Sequence, residues 1–194
     1  GFATAVEKVC QEGIIKAKTI ICFFPNFTLH DETHIMNVCE WMTRLLGNRA
    51  NELTACDAAM LLMAACCHDI GMSVSEGQEK ELKKAVKKER KSTTEPTGEQ
   101  LREYVRQHHH ERIAKEFTLA RWQELDGDRA LHNQGILHKH LVAICKSHGE
   151  PIESFQMSDN VPFDPRLCAV LLRLADILDF DATRAPQTLF DHMG

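Results

Sequence analysis

The sequence predicts an all-α protein, a single-domain helical bundle, and three observations carry that reading. Apolar residues recur at intervals of three and four along nearly the whole chain, while the strict alternation of a half-buried strand is hard to find. Proline is rare, and none of the six lies inside a strongly periodic segment, as helix interiors require. A chain of 194 residues with 43% hydrophobic residues can bury a proper core and suits one domain better than two.

In chain order, "TLHDETHIMNVCEWMTRLLG" places Thr28 and Asp31 in capping-box spacing and continues with Ile35, Val38, Met42 and Leu45 at helical intervals. Gly47 stops it. A second helix is predicted from about Glu52 to His68, with Gly71 close behind as its terminator. From Ser75 to Gln100 lysine and glutamate dominate and large apolar residues nearly vanish. This stretch reads as an exposed helix followed by a mobile loop, with a basic phosphate-binding arm as the alternative. Helical spacing resumes in "LREYVRQHHHERIAKEF" and again in "NQGILHKHLVAICKSHG". After an irregular stretch from Pro151 to Pro165, "DPRLCAVLLRLADILDF" reads as a buried helix with Asp164 or Pro165 at its start.

The net charge of -5 and pI near 6.1 give no general attraction to nucleic acid or to an anionic membrane, so a polyanionic substrate needs a local site. Eight cysteines occur without a CxxC pair, which disfavours a zinc ribbon or a thioredoxin-type motif and fits buried thiols in a reducing cytosol. The longest apolar run, Ala58 to Cys67, is short for a bilayer span, and no basic flank with an apolar stretch opens the chain. The expectation is a cytoplasmic protein with no membrane partner. The start at Gly1 and the ending "FDHMG" read as a fragment of a longer chain.

Within this apolar pattern, "LLMAACCHDIGMSV" is anomalous. A helix with so few polar residues ends in a histidine and an aspartate, and a buried carboxylate is costly unless paired or bound to a cation. His34 lies on the inner side of its helix, His148 ends another, and Asp176 interrupts the run Leu171, Leu172, Leu174, Ile177, Leu178. A lone histidine on a helix is ordinarily a hydrogen-bonded core or surface residue, and Asp176 alone could pair with Arg173 or Arg184. Five such positions on four helices form a set that suits a divalent transition metal in a bundle. Neighbouring helical side chains diverge by about 100 degrees, so His68 and Asp69 suit different parts of one site, with Asp69 in a bridging role.

His34, the doublet His68-Asp69 and Asp176 stand in the order and spacing of the HD superfamily of metal-dependent phosphohydrolases, which the chain resembles from about residue 15 to residue 190. "FTLHDETHIMNV", "HDIGM" and "LLRLADILDFDATRAP" are similar to the text of that family, and most of all to bacterial HD domains of conflict-associated proteins, often beside a GHKL-type ATPase module. The resemblance implies a bundle of the HD/phosphodiesterase type. It implies a first metal held by His34, His68, Asp69 and Asp176, and a second that shares Asp69 and adds His109 and His148. His109 follows Arg106 in the R-x-x-H register of such domains; His110 is its rival, and His108 faces outward or supports a ligand. Two divalent transition ions (Mn, Fe, Ni, Co or Zn) would activate a bound water for in-line attack on phosphorus, with His68, Asp69 and Arg106 serving catalysis.

The chain departs from many relatives at Met72, where a phosphate-contacting lysine follows the doublet in HDIGK, and it lacks the Gly-Tyr-Pro signature of cyclic-dinucleotide phosphodiesterases. Arg102, Arg106 and Arg184 are candidate replacements for that lysine, with ion pairing (Arg184 to Asp179 or Asp181) as the plain alternative. His30 and Asp31 could support the site or cap the helix. The expected function is phosphohydrolysis of a nucleotide or related phosphate ester through a metal-bound hydroxide. The alternatives are a nucleotide-sensing regulatory module coupled to an attached GHKL-type ATPase domain, and, more remotely, a di-iron oxygenase.

Overall fold

The computed structural model describes residues 1–25, 32–125, 134–151 and 161–179. Among them lie eight α-helices and no strand, the all-α architecture predicted above. Helix α1 (Phe2–Phe23) buries Val6, Val9, Cys10, Gly13, Ala17 and Ile20 on one stripe. Together with the short α6 (Leu119–Leu125), whose Trp122 is fully buried, it adds to the helices that the periodicity picks out individually.

Helix α2 (Glu32–Leu46) turns His34, Ile35, Val38 and Met42 inward. It ends at Gly47, which takes a left-handed φ of 53° that a residue without Cβ adopts freely. The expected cap at Thr28 and Asp31 lies outside the described residues. Helix α3 runs Ala55–Cys67 and starts three residues later than predicted. Thr54 is the reason: its hydroxyl accepts the Asp57 N–H at 3.1 Å while the Asp57 carboxylate accepts the Thr54 N–H at 2.9 Å, a capping box. The other Asp57 oxygen takes the N–H of Asp164 at 2.8 Å, so one carboxylate ties the starts of α3 and α8 together.

By length and apolarity the stretch Ala55–Met72 could cross a membrane, more than the Ala58 to Cys67 run suggests, but 72% of it is buried inside the protein. It packs against α1, α2, α7 and α8 as the central element, which explains why it is apolar on all sides. Contact with α1 is close enough that a Cβ on Gly13 would lie within 2.8 Å of the Cys66 carbonyl carbon.

The charged region forms α4 (Glu79–Glu89), which is anchored by Leu82 and Val86 alone. The connection to α5 carries an ion pair between Lys87 and Glu95 and a Ser92–Thr94 hydroxyl contact of 2.8 Å. Thr97 and Gln100 form a second capping box that starts α5 (Gly98–Glu116). Helices α7 (Gln134–Ser147) and α8 (Pro165–Leu178) lie where the periodicity puts them. Asp164 is the N-cap of α8, its carboxylate accepting the N–H groups of Arg166 and Leu167 at 3.0 Å, and Pro165 is the first helical residue. Val38, Met60, Met63, Leu141, Ile144 and Leu172 fill the core between these helices.

Candidate metal centre

The C-terminal ends of α3, α7 and α8 meet the first turn of α2 and the middle of α5. Each element brings one or two polar side chains to that junction. Helix α3 closes with His68 in helical conformation, and a buried 3-10 turn, Ile70–Met72, follows. Gly71 is not a left-handed terminator. Its φ is not positive, and its role is proximity: a Cβ there would stand 2.8 Å from the carbonyl carbon of His109, and closer still to its oxygen. The missing side chain lets the turn lie directly on α5 and brings Asp69 to His109. Met72 is 2% exposed and part of the core.

Two groups of donors result, namely His34, His68 and Asp176, and Asp69, His109 and His148. In the first, His34 Nε2 lies 3.1 Å from His68 Nε2 and 3.6 Å from Asp176 Oδ1. His68 Nε2 is 3.6 Å from the same Asp176 oxygen. Asp69 Oδ2 joins this group at 3.4 Å from His34 and 3.1 Å from His68. The other carboxylate oxygen, Oδ1, faces His109 Nε2 at 3.6 Å and His148 Nε2 at 3.7 Å, and these two nitrogens are 2.7 Å apart. Asp69 thus turns one oxygen to each group.

The protonation pattern of the imidazoles is set from behind. A carbonyl oxygen only accepts, so each Nδ1 facing one carries the proton. His68 Nδ1 donates to Ala65 O at 3.0 Å, His109 Nδ1 to Arg106 O at 2.7 Å, and His148 Nδ1 to Cys145 O. His34 Nδ1 lies 2.6 Å from Asp179 Oδ2, whose other oxygen accepts from Asn37 Nδ2 at 2.8 Å. In the neutral form, each of the four imidazoles points its Nε2 lone pair inward, toward two carboxylates that are also acceptors. Seven lone-pair atoms, four nitrogens, both oxygens of Asp69 and Oδ1 of Asp176, face one another and repel unless a cation or a proton lies between.

The spacing fits such a cation. Bonds of about 2.1 Å to a common ion put tetrahedral donors about 3.4 Å apart and neighbouring octahedral ones about 3.0 Å apart, and the first group spans 3.1–3.6 Å. The electrostatics agree. Burial opposes protonation of His68, yet the carboxylates of Asp69 and Asp176 outweigh it and raise its pKa well above the ordinary histidine value. His148 is held neutral, its pKa lowered to about 4 by burial and by the neighbouring His68. Burial also works against the Asp176 carboxylate, but hydrogen bonding to His68 holds its pKa below the usual range. Where no metal is bound, this anionic pocket takes up a proton in its place.

The HD-CE family's sequence profile matches residues 24–194, a span that contains all six donors. This chain belongs to the HD-CE family. No curated protein and no solved structure matches it. The family match begins at residue 24, directly after α1, rather than at about residue 15 as the resemblance implies.

Other side chains of this HD-CE domain fall as follows. His110 sits against Gly149, where a Cβ would approach its Nδ1 to 2.6 Å, and stays outside both donor groups. His108 faces outward to Glu89 at 3.0 Å and stacks on Tyr104. Arg106 contributes its carbonyl to His109, while its side chain is exposed and lines a cavity beside the N-terminal half of α5. Arg173 does not pair with Asp176; it donates to Glu150 O at 2.8 Å and fastens α8 to the end of α7. His30, Asp31, Asp181 and Arg184 lie outside the described residues. Asp179, read from sequence as a partner for arginine, is instead 2% exposed and supports His34. Its spacing of one helical turn from Asp176 was the available signal, as was that of Asn37 from His34.

Proposed function

We propose that this HD-CE domain is a metal-dependent phosphohydrolase that acts on a nucleotide or related phosphate ester. The observation that carries the reading is the inward-facing set of six donor residues, four imidazoles and two carboxylates, shared between two groups by the two oxygens of Asp69. His34, His68, Asp69 and Asp176 would hold one divalent transition ion, and Asp69, His109 and His148 a second. Such ions supply Lewis acidity toward phosphoryl oxygens and lower the pKa of water toward neutrality.

The protein's own contribution is orientation and charge. Backbone carbonyls and Asp179 fix each imidazole in one tautomer, the arrangement by which outer partners commonly tune metal ligands. Burial of His34 and His68, 2% and 1% exposed, excludes water from one side of the site. Asp176 and His109, with side chains 27% and 15% exposed, form its open edge, where a substrate phosphate would enter. Arg106, one turn before His109 and exposed, would offer a guanidinium for a phosphate oxygen.

The test is elemental analysis of wild type and Asp69→Ala, purified without chelator or metal-affinity tag, followed by hydrolysis of bis(p-nitrophenyl) phosphate and a nucleotide panel. The expected result is about two metals per chain, largely lost in the variant, with metal-dependent release of product. Absence of metal in the wild type after reconstitution with manganese, iron and nickel refutes the reading.

A further inference from the structure

A cavity of about 640 Å³ lies beside the N-terminal half of α5, bounded by Arg90, Arg102 and Arg106 together with Phe24, Thr97 and Gln100. It lies within the size range of small-ligand sites. A smaller cavity of about 320 Å³ adjoins it through the shared Arg90 and Gln100 and adds Lys87, Ser92 and Thr94. Glu99 and Glu103 also line the larger space, and Glu103 stands 3.9 Å from Arg90. Three guanidiniums thus face two carboxylates, and the balance is positive in a protein whose net charge is -5.

The direction of Arg102 gives this cavity its meaning. Its Nη1 lies 3.4 Å from where a Cβ on Gly98 would be, so the side chain runs toward the start of α5, as helical side chains lean. Among the described residues it has no ion-pair partner. Gly98 and His109 are eleven positions apart, about 16 Å along the helix axis at 1.5 Å per residue. Arg106 lies between them. A single phosphate held at the donor cluster is too short to reach Arg102, whereas an elongated ligand with a second phosphate spans the distance.

We propose that this cavity binds a second phosphate group of the substrate, which makes the substrate class a nucleotide with phosphates at two separated positions, as in a linear dinucleotide. The proposal rests on the hydrolase reading for the first phosphate and on Arg90 and Arg102 for the second, with Arg106 between the two. Planar guanidinium groups suit phosphate recognition through paired hydrogen bonds.

Titration calorimetry with a 5′-phosphorylated, phosphorothioate-linked dinucleotide and with AMP tests it on wild type, Arg102→Gln and Arg102→Lys, with bound metal measured on the same samples. Arg102 is exposed, so both variants are expected to fold. The dinucleotide should bind wild type at least tenfold more tightly than AMP does. R102Q should lose about tenfold for the dinucleotide and nothing for AMP, with R102K in between. Equal affinity of the two ligands for metal-loaded wild type, or a dinucleotide affinity unchanged in R102Q, overturns the proposal. The two readings fail separately. A metal-loaded, active protein without the dinucleotide preference loses only the second-phosphate site. If the samples hold no metal and cleave nothing, the hydrolase reading falls and the cavity is decided by dinucleotide binding to wild type against R102Q alone.

Discussion

Gly71→Ala is expected to empty the second metal position while leaving the first. The new Cβ would stand 2.8 Å from the His109 carbonyl carbon, closer to its oxygen, and 3.2 Å from the Ile113 N. Backbone atoms cannot rotate away, so the turn Ile70–Met72 and helix α5 must separate by roughly 1 Å to restore ordinary contact. His109 Nε2 and Asp69 Oδ1, now 3.6 Å apart, lie on opposite sides of that seam and would part by a similar amount. Metal–ligand bonds tolerate only about 0.2 Å. His34, His68 and Asp176 lie away from the seam, and Asp69 stays with His68 on its own side of it, turning Oδ2 to that group, so the first group should keep its ion. Overpacking of this kind costs about 1–3 kcal/mol, which for a chain of this size lowers Tm by roughly 2–4 °C per kcal/mol. Elemental analysis and a thermal melt read the two effects together: about one metal per chain instead of two, with a Tm several degrees lower. Two metals per chain with an unchanged Tm would refute the close-approach argument and the placement of Asp69 against His109.

Asp179→Asn keeps the size of the side chain that holds His34 Nδ1 and should weaken metal binding about 10–100-fold, read by competition with a chelator, with little change in the melt of the metal-free protein. Thr54→Ala removes the capping box of α3 and should cost about 1 kcal/mol, a drop of a few degrees in Tm, with metal content unchanged. Gly13→Ala brings a methyl within 2.8 Å of the Cys66 carbonyl carbon and should destabilise by about 1–3 kcal/mol through the α1–α3 contact, again in a thermal melt. The metal-free protein should also show a stability maximum in pH. His68, raised in the folded state, stabilises it below the unfolded value of 6.5 and loses that contribution as pH rises through its higher folded pKa. His148, lowered to about 4, leaves the unfolded chain to take the extra proton, so stability falls as pH drops from 6.5 toward 4. Melts across pH in chelator should show both limbs, and His148→Gln should flatten the acid one.

Local signals along the chain determine much of the architecture. Apolar spacing in "HIMNVCEWM" and "CAVLLRLADIL" is enough to choose the buried face of α2 and α8, because the helical repeat allows only one such stripe. Gly47 and the Asp164-Pro165 pair mark helix ends through backbone conformations that those residues favour. The start of α3 was also legible in Thr54-x-x-Asp57, although apolar content draws the eye to an earlier boundary. Chemical type alone singled out His34, His68, Asp69, His148 and Asp176, since imidazoles and carboxylates on apolar helix faces need a partner; His109 rested on the register of the family resemblance.

Other features depended on distances between segments far apart in the chain. Nothing local says that Gly71 must be small because His109 passes over it, nor that Asp179 turns back to His34 rather than outward to an arginine. The choice of His109 over His110 is a rotation of about 100 degrees on one helix, and only the packing of α5 on the turn after α3 decides it. The tautomers depend on which carbonyl lies behind each ring. The sequence by itself determined which residue types could serve a metal and on which helices they lie, because periodicity and residue type are local properties. Only the tertiary structure decided how their donor atoms face one another, because that is fixed by contacts between helices that the chain order does not encode.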